Sequence, residues 1–211
     1  MKIFKIWIDE AGRWPWFGPV VACAFAFNPI DLPPKKFIQE LNDSKKLSEK
    51  KREAIFWALI EMSLWKKPKI FFWVWVVDNF VIDEINIKQA NKEAMRRALI
   101  EIFRKINRKK IKSIEIDGND NYTFEELIIK PKFIIWWDGK VSEIGAASII
   151  AKVFRDQLMN TYAKLYPHLW VEAHKWYGTK RHQEYLKDHS CITWAHRLSY
   201  KPVKIFLENI K

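Results

Sequence analysis

The sequence predicts an α/β protein: a mixed five-stranded sheet flanked by helices. Three observations carry that expectation. Short apolar runs rich in β-branched and aromatic residues recur along the first two thirds of the chain. Segments with a helical apolar period separate or follow them. Two of the runs expected to lie parallel end in an aspartate, as in open α/β sheets whose sites form outside the carboxyl ends of the strands.

The runs "KIFKIWID" (2–9) and "VVACAFAF" (20–27) read as strands joined by the Gly/Pro turn "GRWPWFGP" (12–19). "IDLPPKKFIQELN" carries a turn and a short helix. Ser48 reads as the N-cap of a helix in which Ile55, Leu59 and Met62 share a face. "KIFFWVWVVD" is a third strand. Residues 83–106 show the clearest helical period: Ile87, Ala94, Met95, Ala98, Leu99, Ile102, Phe103 and Ile106 form one stripe, with Lys92, Arg96 and Lys105 off it. "IKSIEIDG" and "KFIIWWDG" are the fourth and fifth strands, ending at Asp117 and Asp138. A long helix then runs from about Ser142 to Tyr166 and stops at Pro167. The remainder, "HKWYGTKRHQEYLKDHS" onward, reads as a loop and a short helix, and the tail "KPVKIFLENIK" closes the chain.

Length and composition bound the function. The 211 residues, 49% hydrophobic and 29% charged, suffice for one substantial core. The longest apolar runs hold about eight residues, against the roughly 18 that span a bilayer. Acids at positions 9 and 10 do not fit a secretory signal, so the expectation is a cytoplasmic protein without a membrane partner. Lys plus Arg exceeds Asp plus Glu, 37 to 25, a net charge of +12 that suits a polyanion partner, nucleic acid above all, or a merely basic soluble protein. Cys23 and Cys191 are too few for a disulfide framework or a zinc site. His182, His189 and His196 recur every seven residues, but seven helical residues rise roughly 10 Å, too far for two rings to share one ion easily. The spacing is read as coincidence.

Asp9, Glu10, Asp117 and Asp138 each stand at the exit of an apolar strand. Carboxylates beside a core are costly unless a cation or hydrogen bonds compensate. If they converge on one sheet edge, their oxygens suit Mg²⁺ or Mn²⁺, and two such ions can activate a water and stabilise a leaving oxygen in phosphodiester cleavage. The plainer reading is that acids cap strands and open turns.

A series of motifs then gives the chain a resemblance to the ribonuclease HII family, a type 2 ribonuclease H. They are "IDEAGR" (8–13), "DSKKLS" (43–48), "IDEINI" (82–87), "AMRRAL" (94–99), "IDGN" (116–119), "AASIIAKVFRD" (146–156), "HKWYGTK" (174–180) and "HRLSYKPV" (196–203). Their order covers nearly the whole chain. The resemblance implies an RNase H-like fold, with a catalytic domain over 1–166 and a C-terminal helical extension over 167–211 packed on it, and a two-metal endonuclease using Mg²⁺ or Mn²⁺. It implies cleavage of the RNA strand of RNA–DNA hybrids, and of ribonucleotide-containing duplex DNA on the 5′ side of the ribonucleotide, leaving a 3′-hydroxyl and a 5′-phosphate. The metal carboxylates implied are Asp9, Glu10, Asp117 and Asp138.

The family's Gly-Arg-Gly turn, which reads the 2′-hydroxyl and phosphate at the RNA-to-DNA junction, falls on Gly12, Arg13 and Trp14. Its junction-sensing tyrosine falls on Tyr177, which could instead be a core residue. Lys45 and Lys46 are phosphate contacts or a solvated surface pair. Lys152 and Arg155, three apart, can share a helix face toward phosphate. Ala146, Ala147 and Ser148 keep the start of their helix slim, for close approach of a strand or for core packing. A monomer is expected. The close alternative, ribonuclease HIII, carries an extra N-terminal domain, for which a first strand starting at residue 3 leaves no place. The alternative of another class is a catalytically impaired nucleic-acid-binding protein on the same fold, suggested by Trp14.

Twelve Trp accompany only 6 Gly. At Trp7, Trp14, Trp73, Trp75, Trp137, Trp170 and Trp176 the family pattern favours glycine. Either tryptophan fills these sites, or a UGA codon that the cell reads as glycine has been written as tryptophan. The repeated choice of one replacement favours the codon explanation. Where such a position needs φ > 0, a side chain there adds roughly 1–2 kcal/mol of strain.

Overall fold

The computed structural model describes residues 3–41, 47–124, 127, 129–134, 142–165, 180–186 and 193–208. Five strands form one sheet: β1 (Phe4–Ala11), β2 (Val20–Phe27), β3 (Ile70–Val77), β4 (Ile111–Asp117) and β5 (Lys132–Ile134), in the order β3-β2-β1-β4-β5. β1, β2 and β3 pair antiparallel, while β4 pairs parallel to β1 and β5 parallel to β4. The predicted mixed five-stranded sheet is therefore the observed one.

The helices are α1 (Lys35–Leu41), α2 (Glu49–Leu64), α3 (Asn79–Lys105), α4 (Ser142–Leu165), α5 (Lys180–Leu186) and α6 (Lys201–Glu208). They cover both faces of the sheet, because the strand pleat sends alternate side chains to opposite sides. Ile6 and Ile8 of β1 join Val20, Ala22, Ala24 and Ala26 of β2 against α3. Ala11 of β1 joins Cys23, Phe25 and Phe27 of β2 against α2 and α4. With both faces covered, β2 is buried along its whole length, so its sequence is a continuous apolar run rather than an alternating one.

The helical stripe of α3 packs as its period predicts: Ala94, Met95, Ala98, Leu99 and Ile102 are fully buried. The helix is not continuous, however. Asn86 sits at φ 65, ψ 161, and its Oδ1 accepts from the amides of Lys88 and Gln89 at 3.0 and 3.2 Å. Asn tolerates this backbone and caps the next helical turn, so the helix expected to run unbroken from 83 restarts at Ile87. Ser48 caps α2 as expected, its Oγ accepting from Lys51 N at 3.3 Å. In α4, Ala146, Ala147, Ile150 and Ala151 are buried, and the small residues let the helix lie close on β1 and β2.

The C-terminal segment is tied into the turn between β1 and β2. Phe17 and His196 form an antiparallel bridge, Gly18 N donates to Ala195 O at 2.9 Å, and Arg197 N donates to Trp16 O at 2.8 Å. Asp83 of α3 holds the same segment. Its carboxylate accepts from the amides of Leu198 and Ser199 at 2.9 and 2.8 Å and from Ser199 Oγ at 2.6 Å.

The tryptophans divide by environment. Trp7 is buried in β1, and its indole N–H has no hydrogen-bond partner. Trp73 and Trp75 of β3 are half-buried beneath Lys105 Nζ and the Arg97 guanidinium, 5.2 and 5.7 Å from the ring centroids. Among the described residues the non-glycine positions with positive φ are Asn86 and Asn121, so Trp7, Trp14, Trp73 and Trp75 carry no left-handed strain. That corrects the backbone-strain argument; at Trp7 the cost that remains is the orphaned donor. Trp137, Trp170 and Trp176 lie outside the described residues.

Candidate active site at the carboxyl ends of β1 and β4

The parallel register pairs Ile8 with Ile116, so Asp9 and Asp117, one step further along, end side by side on adjacent strands. Strands in a sheet lie about 4.8 Å apart, and the pleat puts both side chains on the α4 face. Asp9 is buried, and its Oδ1 accepts from Glu10 N at 2.7 Å. Glu10 points to the other face, toward Arg13. Burial pushes the Glu10 carboxyl up to about 8, with Asp9 the next cause; Asp117 and Asp120 add to it and Arg13 opposes it. Burial is the larger part of that shift, and the carboxylates around Glu10 add to it more than Arg13 offsets.

An all-oxygen set of this kind fits a hard divalent cation, which would offset both the burial of Glu10 and its repulsion by the other acids. Among the described residues, no three His, Cys, Asp or Glu side chains converge closely enough to hold an ion by themselves. Asp138, the fourth expected carboxylate, lies outside them, as do Lys45, Lys46 and Tyr177.

The turn after β1 is built around Gly12 at φ +88. A Cβ there would run into Arg155 Nε and lie 2.7 Å from Pro19 O, so only glycine fits. Arg13 is half-buried and forms a two-pronged ion pair with Asp120, with NH2 to Oδ1 at 2.8 Å and NH1 to Oδ2; Glu10 lies 3.8 Å away. The Arg13 guanidinium holds the Asp120 carboxyl below the usual range. Trp14 is exposed, its ring 5.5 Å from that guanidinium. The indole therefore projects outward beside Arg13 and does not fill the turn.

On α4, Ser148 is half-buried, and Lys152 pairs with Asp156 at 2.6 Å. Arg155 corrects the expectation of a phosphate contact. It is 1% exposed, and its Nε and NH2 donate to the carbonyls of Pro19 and Phe17 at 3.1 and 3.2 Å. Lys152 and Arg155 are three apart, but Lys152 is partly exposed while Arg155 lies on the buried side of α4, so one stays near the surface and the other reaches the turn.

The sequence reading missed three features of this region. Asp120 was not singled out, although it directly follows "IDGN". Arg197 and Tyr200 sat inside "HRLSYKPV" without a role; both contact the turn. The third is a direct contact between His182 and His196, whose seven-residue spacing carries no such signal: their Nε2 atoms lie 3.3 Å apart in a buried pair. They meet because they lie on different segments that fold together, not on one helix. His189 is outside the described residues.

Comparison with known proteins agrees with this geometry. The family model for Ribonuclease HII matches residues 6–203. The chain is 43% identical over 204 residues to the Ribonuclease HII of Endomicrobium trichonymphae, covering 97% of this chain and 88% of that one. It is 40% identical over 205 residues to the Ribonuclease HII of Fusobacterium nucleatum, covering 97% and 86%. Among solved structures, the ribonuclease H2 from Pyrococcus horikoshii OT3 shares the fold with a TM-score of 0.74 at 22% identity, covering 98% of each chain. Bst-RNase HIII in complex with Mn²⁺ shares it at 0.74 and 20% identity, covering 100% of this chain and 71% of that one. With strand order, motif order and family match in agreement, this chain belongs to the ribonuclease HII family of nucleases.

Proposed function

We propose that the protein hydrolyses the RNA strand of RNA–DNA hybrids and cuts duplex DNA on the 5′ side of embedded ribonucleotides, using two divalent ions, Mg²⁺ or Mn²⁺. The observation that carries this reading is the juxtaposition of Asp9 and Asp117 at adjacent strand ends, with the Glu10 carboxyl pushed up to about 8 beside them. Asp9, Glu10, Asp117 and Asp138 are the residues that would hold the ions. Bound there, divalent ions supply an activated water and charge stabilisation of the leaving oxygen.

The chain's own residues do the rest. The buried floor beneath Asp9 limits its motion, so its oxygens are presented from a fixed direction. The turn at Gly12, Arg13 and Trp14 presents backbone amides and the Arg13 guanidinium to the sugar 2′-hydroxyl and phosphate, the hydroxyl being the group that distinguishes RNA from DNA. Arg13 suits that task because its planar fork can meet two oxygens at once. Lys45, Lys46, Ser148 and Lys152 take the role of phosphate and backbone contacts, and Tyr177 that of the junction-sensing ring. The net charge of +12 draws the polyanion in and makes binding salt-dependent. The protein acts as a monomer in the cytoplasm.

The test is cleavage of a duplex carrying one ribonucleotide, and of a continuous hybrid, with Mg²⁺ and with chelator. Products ending in 3′-hydroxyl and 5′-phosphate, formed only with the cation, support the reading. Cleavage that persists in chelator, or nicking of all-DNA duplex at the same rate, refutes it.

A further inference from the structure

Behind the turn at Gly12 lies a second arginine, contributed by the far end of the chain. Arg197 is fully buried. Its Nε donates to Gly18 O at 2.9 Å, NH1 to Arg13 O at 3.1 Å, and NH2 to Gly12 O at 2.5 Å. NH1 also donates to Tyr200 Oη at 2.7 Å, and that hydroxyl donates onward to Arg13 O at 2.7 Å. The Arg13 carbonyl thus accepts from two groups of the 193–200 segment. Arg155 holds the other end of the same turn through Phe17 O and Pro19 O.

A buried guanidinium is costly unless its donors are matched, and a rigid five-donor fork matches several carbonyls at once. The consequence for the turn is directional. A trans peptide is planar, with its N–H opposite its C=O. Drawing the carbonyls of Gly12 and Arg13 inward therefore turns the amides of Arg13 and Trp14 the other way, away from Arg197. Successive amides facing one side make an anion-binding concavity, which Gly12 permits through its positive φ.

We infer that Arg197 and Tyr200 are positioning residues for cleavage at a ribonucleotide: they hold the Gly12–Trp14 backbone so that its amides face the sugar and phosphate of the substrate. Neither is a catalytic residue, since Arg197 is buried behind the turn and Tyr200 reaches it from behind. The inference rests on the proposed reading of that turn. It gives the C-terminal segment a role in specificity, since losing the inward pull leaves the carboxylates in place while freeing the amides to rotate.

The experiment uses Tyr200→Phe, which removes one hydroxyl and keeps the ring, and Arg197→Lys, which keeps the charge and loses the fork. Both are assayed on a duplex with a single ribonucleotide, alone and combined with Arg13→Ala. Removing a hydrogen bond of this kind should lower kcat for Tyr200→Phe about tenfold, with KM changed less than about twofold. Arg197→Lys should lose more. Combined with Arg13→Ala, neither change should add its full effect, because both act through one turn. A merely structural role would leave the effects additive. If Arg13→Ala cleaves at the wild-type rate, the reading of the turn falls, and this inference with it. If Arg13→Ala is impaired while Tyr200→Phe and Arg197→Lys are normal or strictly additive with it, the inference alone falls.

Discussion

His196 makes the fold acid-sensitive in a way that can be measured residue by residue. The ring is buried against Phe17 and faces His182, Nε2 to Nε2, at 3.3 Å. Its Nδ1 accepts from Thr193 N at 3.0 Å, which leaves the ring proton on Nε2, pointing at His182. A second proton on either ring sets two N–H groups against each other or breaks the Thr193 bond. Burial, then His182, lowers the His196 pKa from 6.5 to about 3. The folded state therefore favours neutral His196. Its stability is full above pH 6.5 and is lost as pH falls toward 3, at about 1.4 kcal/mol for each pH unit. At pH 5 the loss is about 2 kcal/mol and at pH 4 about 3 kcal/mol, against a total of roughly 5–15 for a domain. The assay is urea unfolding of the wild type and His196→Gln at pH 7, 6, 5 and 4. Taking the difference between the two proteins cancels the titrating groups away from the His182–His196 pair. His196→Gln is expected to be less stable at pH 7, and the gap should close by about 3 kcal/mol by pH 4. A gap that stays constant over that range refutes a buried neutral His196.

Three further outcomes are expected. Asp9→Asn and Asp117→Asn should each abolish detectable hybrid cleavage while gel-shift binding persists, and substantial activity in both would remove these residues from the site. Asp83→Ala takes three acceptor contacts from the 198–199 turn and should cost about 1.5–3 kcal/mol, or a fall in Tm of several degrees by calorimetry; an unchanged Tm would mean those contacts contribute nothing net. Protein purified from its natural source should show glycine in the peptides spanning positions 7, 14, 73 and 75. At position 7, glycine relieves an orphaned indole donor worth about 1–3 kcal/mol, and finding tryptophan by mass spectrometry ends the codon explanation.

The strands, the long helices and the acids at the ends of β1 and β4 were legible in the sequence because they depend on local pattern. Apolar runs of strand length, a helical stripe from Ala94 to Ile102 and an aspartate at a strand exit are visible without knowing what packs on them. The break at Asn86 was less legible, since it interrupts the apolar stripe by one residue's backbone and not by its composition. What only the tertiary structure decided is the fate of the polar residues. Lys152 and Arg155 look interchangeable on α4, yet one pairs with Asp156 near the surface and the other is sealed beneath the turn at Gly12. Arg197 and Tyr200 lie more than 180 residues from Gly12 and Arg13, whose carbonyls they hold. The physical reason is that an arginine's role depends on which acceptors surround its fork, and here those acceptors are backbone carbonyls brought together from opposite ends of the chain.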